Sequence, residues 1–197
     1  MTLHAAARAP QPAPQPDLFG PALLPGLAYG EAFITAAEEA ELLAQIESAK
    51  LTPFQFQKWE GKRLTRSFGW TYDFQTGRFA PGEPMPDWLD PVRARAAAFA
   101  GIEPDALEQT LLIEYGFGAG IGWHKDRPVF DHVIGISLGA PATMRFRRRT
   151  GTGFARASAA LAPRSIYHMR GEVRDDWEHS IAAMGAPRWS ITFRSLR

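Results

Sequence analysis

The chain contains no cysteine. That removes disulfide staples, thiolate zinc sites, iron–sulfur clusters and cysteine nucleophiles together, and it suits a reducing compartment. No apolar run approaches the roughly 20 residues needed to cross a bilayer, and the N-terminus lacks the basic-then-apolar layout of a signal peptide. A cytoplasmic protein without a membrane partner is therefore expected. Net charge is nearly absent too, at +1 over 197 residues. It is unevenly spread. From Pro141 to Arg197 there are eleven arginines, no lysine and only four acidic residues, which leaves the remainder of the chain acidic. A basic C-terminal part suits an anionic partner, small or polymeric; a solvated surface of mixed charge gives the same count.

With 45% hydrophobic and 22% charged residues, the composition is that of a folded chain long enough to bury a core. Residues 1–17 are rich in Ala, Pro and Gln without periodicity and read as a flexible tail, leaving 18–197 as a single domain. A short strand is expected over Gly26 to Ile34. Thr35 and Glu38 have capping-box spacing and open a helix to about Ala49, with Ala36, Ala40, Leu43 and Ile46 as its apolar stripe. Asp90-Pro91 starts a second helix, which Gly101 stops. Strands are then predicted at Thr110–Tyr115, His132–Leu138, Ala142–Arg147, Ser165–Met169 and Pro187–Arg194. Helices first and short strands afterwards define an α+β fold around an antiparallel sandwich or open barrel.

Between the helices, Phe54 to Phe74 interleaves aromatics with Lys58, Lys62, Arg63 and Arg66 and reads as a hairpin turning at Glu60-Gly61. Phe68, Trp70, Tyr72 and Phe74 alternate and read as core. The tip from Trp59 to Arg66 offers an aromatic–basic surface for bases and phosphates, or a plain exposed hairpin.

The stretch Leu111 to Asp126 runs from an apolar strand through Tyr115 and a glycine-rich bend to His124 and Asp126. Residues i and i+2 of an extended segment point the same way, so this imidazole and carboxylate can share one metal ion. Alone, the pair is equally a surface turn. In Arg188-Trp-Ser-Ile-Thr-Phe-Arg194 the alternation is complete: Trp189, Ile191 and Phe193 on one face, Arg188, Ser190, Thr192 and Arg194 on the other. That polar face is either solvated or turned into a pocket, where two guanidinium forks and two hydroxyls suit a small dicarboxylate.

Taken together, Tyr115 before the bend, His124-x-Asp126, the distal His179 and the R-x-S-x-T-x-R strand resemble the AlkB family of Fe(II)/2-oxoglutarate dioxygenases, over about Phe54 to Arg197. The resemblance implies a double-stranded β-helix of jelly-roll type, with N-terminal helices packed on the sheet and the aromatic–basic hairpin as a lid. It implies Fe(II) on His124, Asp126 and His179, with 2-oxoglutarate and O₂ as cosubstrates. Tyr115 and Arg188 would hold 2-oxoglutarate, Ser190 and Thr192 would line its site, and Arg194 would lie nearer the metal. Ser190 stands where the family pattern has Asn, Ile113 where many members carry Asn, and Pro128 where the bacterial alkylation-repair enzyme has a base-contacting Asp. The stretches around Phe68 and His179 look more like the animal members, including the one that hydroxylates a modified tRNA uridine.

The function so implied is oxidation, by demethylation or hydroxylation, of an alkylated or modified nucleobase in DNA or RNA. Trp59, Lys62, Arg63, Arg66, Arg147 and Arg148 are the candidate substrate contacts. The alternatives are an oxygenase acting on a protein side chain or small molecule, and a catalytically silent nucleic-acid-binding module. His132 is assigned a structural role, Trp123 packing beside the metal, and His168 a place facing away from Ile166, bordering the pocket. Arg170 and Arg174 flank a turn, free to grip phosphates or to be solvated.

Overall fold

The computed structural model describes residues 24–56, 59–72 and 79–197. The proposed tail and Phe74 lie outside the described residues, as do the side chains of Trp59 and Tyr72. In chain order the strands are Leu27–Gly30 (β1), Thr52–Phe56 (β2), Trp59–Phe68 (β3), Trp70–Tyr72 (β4), Phe79–Pro81 (β5), Leu107–Tyr115 (β6), Ile121–His124 (β7), Phe130–Gly139 (β8), Ala142–Arg149 (β9), Phe154–Leu161 (β10), Ile166–Met169 (β11), Glu178–Ile181 (β12) and Arg188–Leu196 (β13). The helices are Ala36–Ser48 (α1), Asp90–Ala100 (α2) and Gly171–Asp175 (α3). None among the described residues is long and apolar enough to cross a membrane.

Seven strands form the larger sheet in the order β1-β11-β8-β13-β6-β3-β2, and four form a smaller one, β10-β9-β12-β7. Every ladder is antiparallel. Alternation then builds two cores. Leu112, Ile134, Ile136, Ile166, Ile191 and Phe193 face outward from the larger sheet and are covered by Leu42 and Ile46 of α1 and by Val92 and Ala96 of α2. The opposite positions, Ile113, Tyr115, Val133 and Tyr167, meet Met144, Phe146 and Ile181 of the smaller sheet. This is the expected jelly roll with its N-terminal helices on the outside of one sheet.

The N-terminus of α1 is capped as its spacing predicts: Glu38 N–H donates to Thr35 Oγ1, and the Thr35 N–H donates to the Glu38 carboxylate. Its stripe differs from expectation. Ala36 and Ala40 are exposed, and the buried face is Glu39, Leu42 and Ile46. Glu39 tolerates burial because its carboxylate accepts from the Gly139 N–H and from the Arg164 guanidinium, both at 2.9 Å. Gly101 ends α2 in the left-handed conformation at φ 70.

Two strand readings need correction. Glu60 and Gly61 lie inside β3, because Gln55 pairs with Glu60 and Phe56 with Trp59. The β2–β3 pair, the expected hairpin, is joined to the larger sheet through β6. The aromatic row breaks at Gly69: Phe68 is core, while Trp70 stacks on Phe79 at 4.8 Å between centroids, in the separate β4–β5 pair. β7, β10 and β12 escaped the sequence reading; β10 is Phe154-Ala-Arg-Ala-Ser-Ala-Ala-Leu161, built on residues of low strand propensity.

His168 is corrected as well. Two residues from Ile166 on one strand, it shares that residue's outward face and does not border the barrel interior. It is buried and shares a 2.9 Å hydrogen bond with His132 (Nδ1 to His168 Nε2), the rings stacked at 4.9 Å. Burial, with His132 and Arg170 adding to it, pushes the His168 imidazole down to about 4 from 6.5, against the opposing pull of Asp131. A histidine depressed by folding stabilises the protein fully above its unfolded value and progressively less as pH falls toward its folded value. Folding stability should therefore drop by about 2–3 kcal/mol from this residue as pH falls from 6.5 to about 4. Urea unfolding of His168→Gln across that window should show a correspondingly shallower decline; an unchanged profile would exclude the residue as the cause.

Candidate metal and cosubstrate site

His124 and His179, 55 positions apart in sequence, are direct partners in the β7–β12 ladder. Opposed residues of an antiparallel pair bring their side chains together on one face, and the two rings lie 4.2 Å apart between centroids. Gly120 makes this pairing possible: a Cβ there would meet the Ile181 carbonyl oxygen at 2.8 Å and Ala182 backbone at 2.9 Å. The bend thus passes close to the chain following His179. Asp126, just past the end of β7, brings its Oδ2 to 3.6 Å from His179 Nε2.

The donors are of the types a divalent metal takes up. His124 Nδ1 lies 2.9 Å from the Gly122 carbonyl oxygen, which only accepts. The ring nitrogen therefore carries the proton there, and Nε2 keeps its lone pair. Burial lowers the His124 imidazole below its ordinary range, although Asp126 opposes the shift. It lowers His179 to about 3, with His124 adding to it, so both rings are neutral. Burial pushes the Asp126 carboxyl up, but the charge of the Arg194 guanidinium paired with it overcomes this and holds the group well below the usual carboxylate range. Two neutral imidazoles and one carboxylate form the facial set that holds non-haem Fe(II) with positions left open. Asp126 lies against His179 and Arg194, and the His124 ring against that of His179; among the described residues no group of three or more His, Asp or Glu is already gathered at metal-holding distances.

The last strand decides what lies beside them. Arg188, Ser190, Thr192 and Arg194 are all buried, facing into the barrel, while Ile191 and Phe193 are buried on the other side under the helices. Both faces of β13 are thus interior, the polar one facing the barrel. Arg194 grips Asp126, with Nε and Nη2 2.9 and 2.8 Å from Oδ1, and donates from Nη1 to Gln109 Oε1 at 2.9 Å. The β13 ladders shift register just beyond it, a bulge that re-aims the strand end. Arg194 is therefore a support of the carboxylate. At the other end Arg188 lies over the Tyr115 ring at 5.1 Å and donates from Nε to Ser137 Oγ at 3.2 Å. Its buried Nη1 has no partner among the described residues. A buried guanidinium nitrogen without an acceptor is costly unless an anion completes it. That orphan, beside Tyr115 and on the same face as the carboxylate support, fits a small carboxylate ligand. Ser190 and Ile113 face each other in the β13–β6 ladder, so the side chain at 113 shares that interior face and contributes no hydrogen bond.

Some contributors carried no sequence signal. Tyr167 enters the barrel from β11 over Gly135, where a Cβ would meet the tyrosine ring and hydroxyl at 2.2–2.3 Å. Burial pushes its phenol up to about 12, against the pull of Arg188. Ser137 and Gln109, which hold the two arginines, belong to no motif in the sequence. Phe117 lies at the tip of the glycine bend, 83% exposed. Such an isolated aromatic in a glycine run was visible in the sequence and went unread.

The candidate substrate residues separate. Arg63, on the strand facing Tyr115, is largely buried over Phe54 at 3.9 Å; burial lowers its guanidinium, and it acts electrostatically on both Tyr115 and His124. The Lys62 ammonium lies beside the glycine bend, 3.6 Å from where a Cβ of Gly118 would be. Arg66 is not at the site: it donates to the Ala49 carbonyl and pairs with Glu83 at 2.6 Å, tying strand β3 to the end of α1. Arg147 and Arg148 are engaged by Glu178 and Glu172 at 2.6 and 2.8 Å. Arg174, expected at a turn, is buried and donates to the Arg127 and Phe130 carbonyls. Trp123 is on the outer face, beneath Arg145 and Arg147.

A jelly roll with two histidines, a carboxylate and a buried arginine strand defines a class of non-haem iron oxygenases. A sequence model of the 2OG-Fe(II) oxygenase superfamily matches residues 26–194, and the chain belongs to that superfamily, whose dioxygenases use Fe(II) with 2-oxoglutarate and O₂. Its relatives are of AlkB type. It is 29% identical over 185 residues to the Arabidopsis thaliana alkylated DNA repair protein ALKBH8 homolog, covering 80% of this chain and 51% of that protein. It is 27% identical over 170 residues to the Xenopus tropicalis tRNA (carboxymethyluridine(34)-5-O)-methyltransferase alkbh8, covering 84% of this chain and 26% of that protein. The chain thus spans about half of one relative and about a quarter of the other. In fold it is similar to OsALKBH1, with a TM-score of 0.68 at 13% identity over 89% of this chain and 99% of that one. A Pseudomonas putida prolyl-4-hydroxylase matches with a TM-score of 0.59 at 15% identity, over 87% and 93% of the two chains.

Proposed function

We propose that this 2-oxoglutarate-dependent dioxygenase oxidises a modified nucleobase, with Fe(II) held by His124, Asp126 and His179 and 2-oxoglutarate held by Arg188 and Tyr115. The observation that carries the site is the orphaned Arg188 Nη1, buried on the strand face that also supports Asp126. When bound, the iron with 2-oxoglutarate and O₂ supplies the oxidation of a substrate C–H bond. The chain's own residues do the rest. The Gly122 carbonyl fixes the His124 tautomer, Arg194 keeps Asp126 ionised and oriented, and Arg188 anchors the far carboxylate of the cosubstrate against Tyr115. Tyr167 and Ile113 close the interior against water, which prevents side reactions.

The nucleobase reading is supported by the names of the AlkB-type relatives and by the exposed Phe117 on the glycine bend, next to the Gly118 position that the Lys62 ammonium approaches. An exposed ring with a cation close by suits stacking on an extruded or unpaired base. The test is succinate formation from 2-oxoglutarate by Fe(II)-loaded protein exposed to O₂, with and without methylated DNA, methylated RNA and tRNA. Stimulation by one of these supports the reading. Succinate that none of them stimulates moves the search to protein side chains and metabolites. Phe117→Ala should lower kcat/KM for the stimulating nucleic acid about tenfold while leaving succinate formation without nucleic acid unchanged. Equal efficiency in that variant would remove Phe117 from substrate contact.

A further inference from the structure

The outward face of the smaller sheet has no role in the chemistry described so far. Its inward positions fill the barrel with Met144, Phe146 and Ile181. The alternate positions carry Arg145, Arg147 and Arg149 on β9, and Phe154 and Arg156 on β10. Trp123, on β7, lies under Arg145 and Arg147, whose guanidinium carbons are 5.3 and 4.5 Å from its ring. Phe154, 38% exposed, is surrounded by Arg147, Arg156 and Arg149 at 4.7, 5.8 and 6.0 Å.

Charge on this face is one-sided. Glu178 engages Arg147, and among the described residues no carboxylate pairs with Arg145, Arg149 or Arg156. Arg147 and Arg156 are direct partners in the β9–β10 ladder. Like charges placed opposite each other cost stability, and a sheet surface serving only solubility intersperses both signs. Guanidinium groups set around flat rings complement a polyanion that itself carries flat faces, which is single-stranded nucleic acid. A duplex would engage the arginines and leave the rings idle; an acidic peptide would do the same.

Position adds to composition. From Phe154 on β10 to Trp123 on β7 the face crosses three strand spacings, about 14 Å, and ends at the free edge of β7. Trp123 and His124 are neighbours in that edge strand, one outside the sheet and one inside. A chain lying on the face reaches the metal site by rounding one edge.

We propose that this face holds the single-stranded nucleic acid flanking the base to be oxidised, with Phe154 as a stacking platform and Arg145, Arg149 and Arg156 contacting phosphates. The assignment rests on the nucleobase reading above. Fluorescence polarisation of the full chain with labelled, unmodified RNA and DNA single strands of about 15 nucleotides, titrated with salt, tests it. Combined Arg149→Glu and Arg156→Glu should weaken binding at least tenfold near 0.1 M salt and reduce the slope of log affinity against log salt by about 1.4. The combined Arg149→Lys and Arg156→Lys variant keeps the slope. Phe154→Ala weakens binding about tenfold and leaves the slope unchanged, because the lost contact is uncharged. Lys50→Glu, an exposed charge reversal just after α1, has no effect. All variants retain the succinate formed without nucleic acid. Parental binding that survives both the charge reversal and Phe154→Ala overturns this proposal alone. A duplex bound as tightly as the single strand, with Phe154→Ala silent, overturns the stacking role. Failure of the parent protein to bind either strand removes the nucleobase reading and this face's role with it.

Discussion

Replacing His124 by Ala should lower succinate formation by more than about 10²-fold, since even changes to groups that merely support metal ligands cost 10–100-fold. The fold should stand, because His124 is partly exposed and its removal strands no buried charge. Asp126→Ala should behave differently. It removes the ionic partner of Arg194, leaving a buried guanidinium with only Gln109 to hold it. Breaking a buried pair from one side costs about 3–5 kcal/mol, so this variant should lose stability as well as turnover. The pair of variants separates ligation from packing. Iron stoichiometry, succinate formation and urea unfolding measure the three quantities, and normal iron binding with normal turnover in either variant would sink the ligand assignment.

Arg188→Met should abolish useful cosubstrate binding and make the unliganded protein more stable. The parent carries a buried guanidinium that, without ligand, is met by Ser137 alone and leaves Nη1 unsatisfied. Exchanging such a charge for an apolar side chain of similar length is worth about 1–3 kcal/mol in stability. Losing a charge-assisted contact to a carboxylate costs about 2–3 kcal/mol in binding, equivalent to a rise in KM of roughly 30- to 150-fold. Linkage supplies a second readout. 2-Oxoglutarate should raise the unfolding midpoint of the parent in proportion to RT ln(1 + [L]/Kd) and leave that of the variant unmoved. A variant that is less stable than the parent, yet still protected by 2-oxoglutarate, would contradict both halves.

Much of the candidate site was legible because its residues keep short, directional patterns. His124 and Asp126 are two apart at a strand end, and the alternation of 188–194 is unbroken. Alternation alone could not say which face of β13 was wet, since both faces are dry: one lies under α1 and α2, the other inside the barrel. Only assembly of two layers decides that. The reach of single side chains was equally invisible. Arg66 and Arg63 look alike in sequence, yet alternation turns Arg63 toward Tyr115 and Arg66 toward Ala49 and Glu83. The stripe of α1 was misplaced because a carboxylate, Glu39, occupies a core-facing position through partners 100 and 125 residues away. β10 was missed because alanine and serine carry little strand signal until a neighbour supplies the ladder.

The placement of Arg188 and Arg194 on one strand has a mechanical consequence. β13 is bonded along its length to β8 on one side and β6 on the other, the most enclosed position in the larger sheet. Six residue steps of extended chain separate the two arginines, about 20 Å between their backbones. The proposed anchor for the cosubstrate and the brace for the proposed metal carboxylate are thus two marks on one ruler. Loops at the mouth can swing, and surface residues can drift, without altering the interval between those marks. Substrate range is free to change at the rim while the alignment of the reacting partners is set by the length of the peptide repeat.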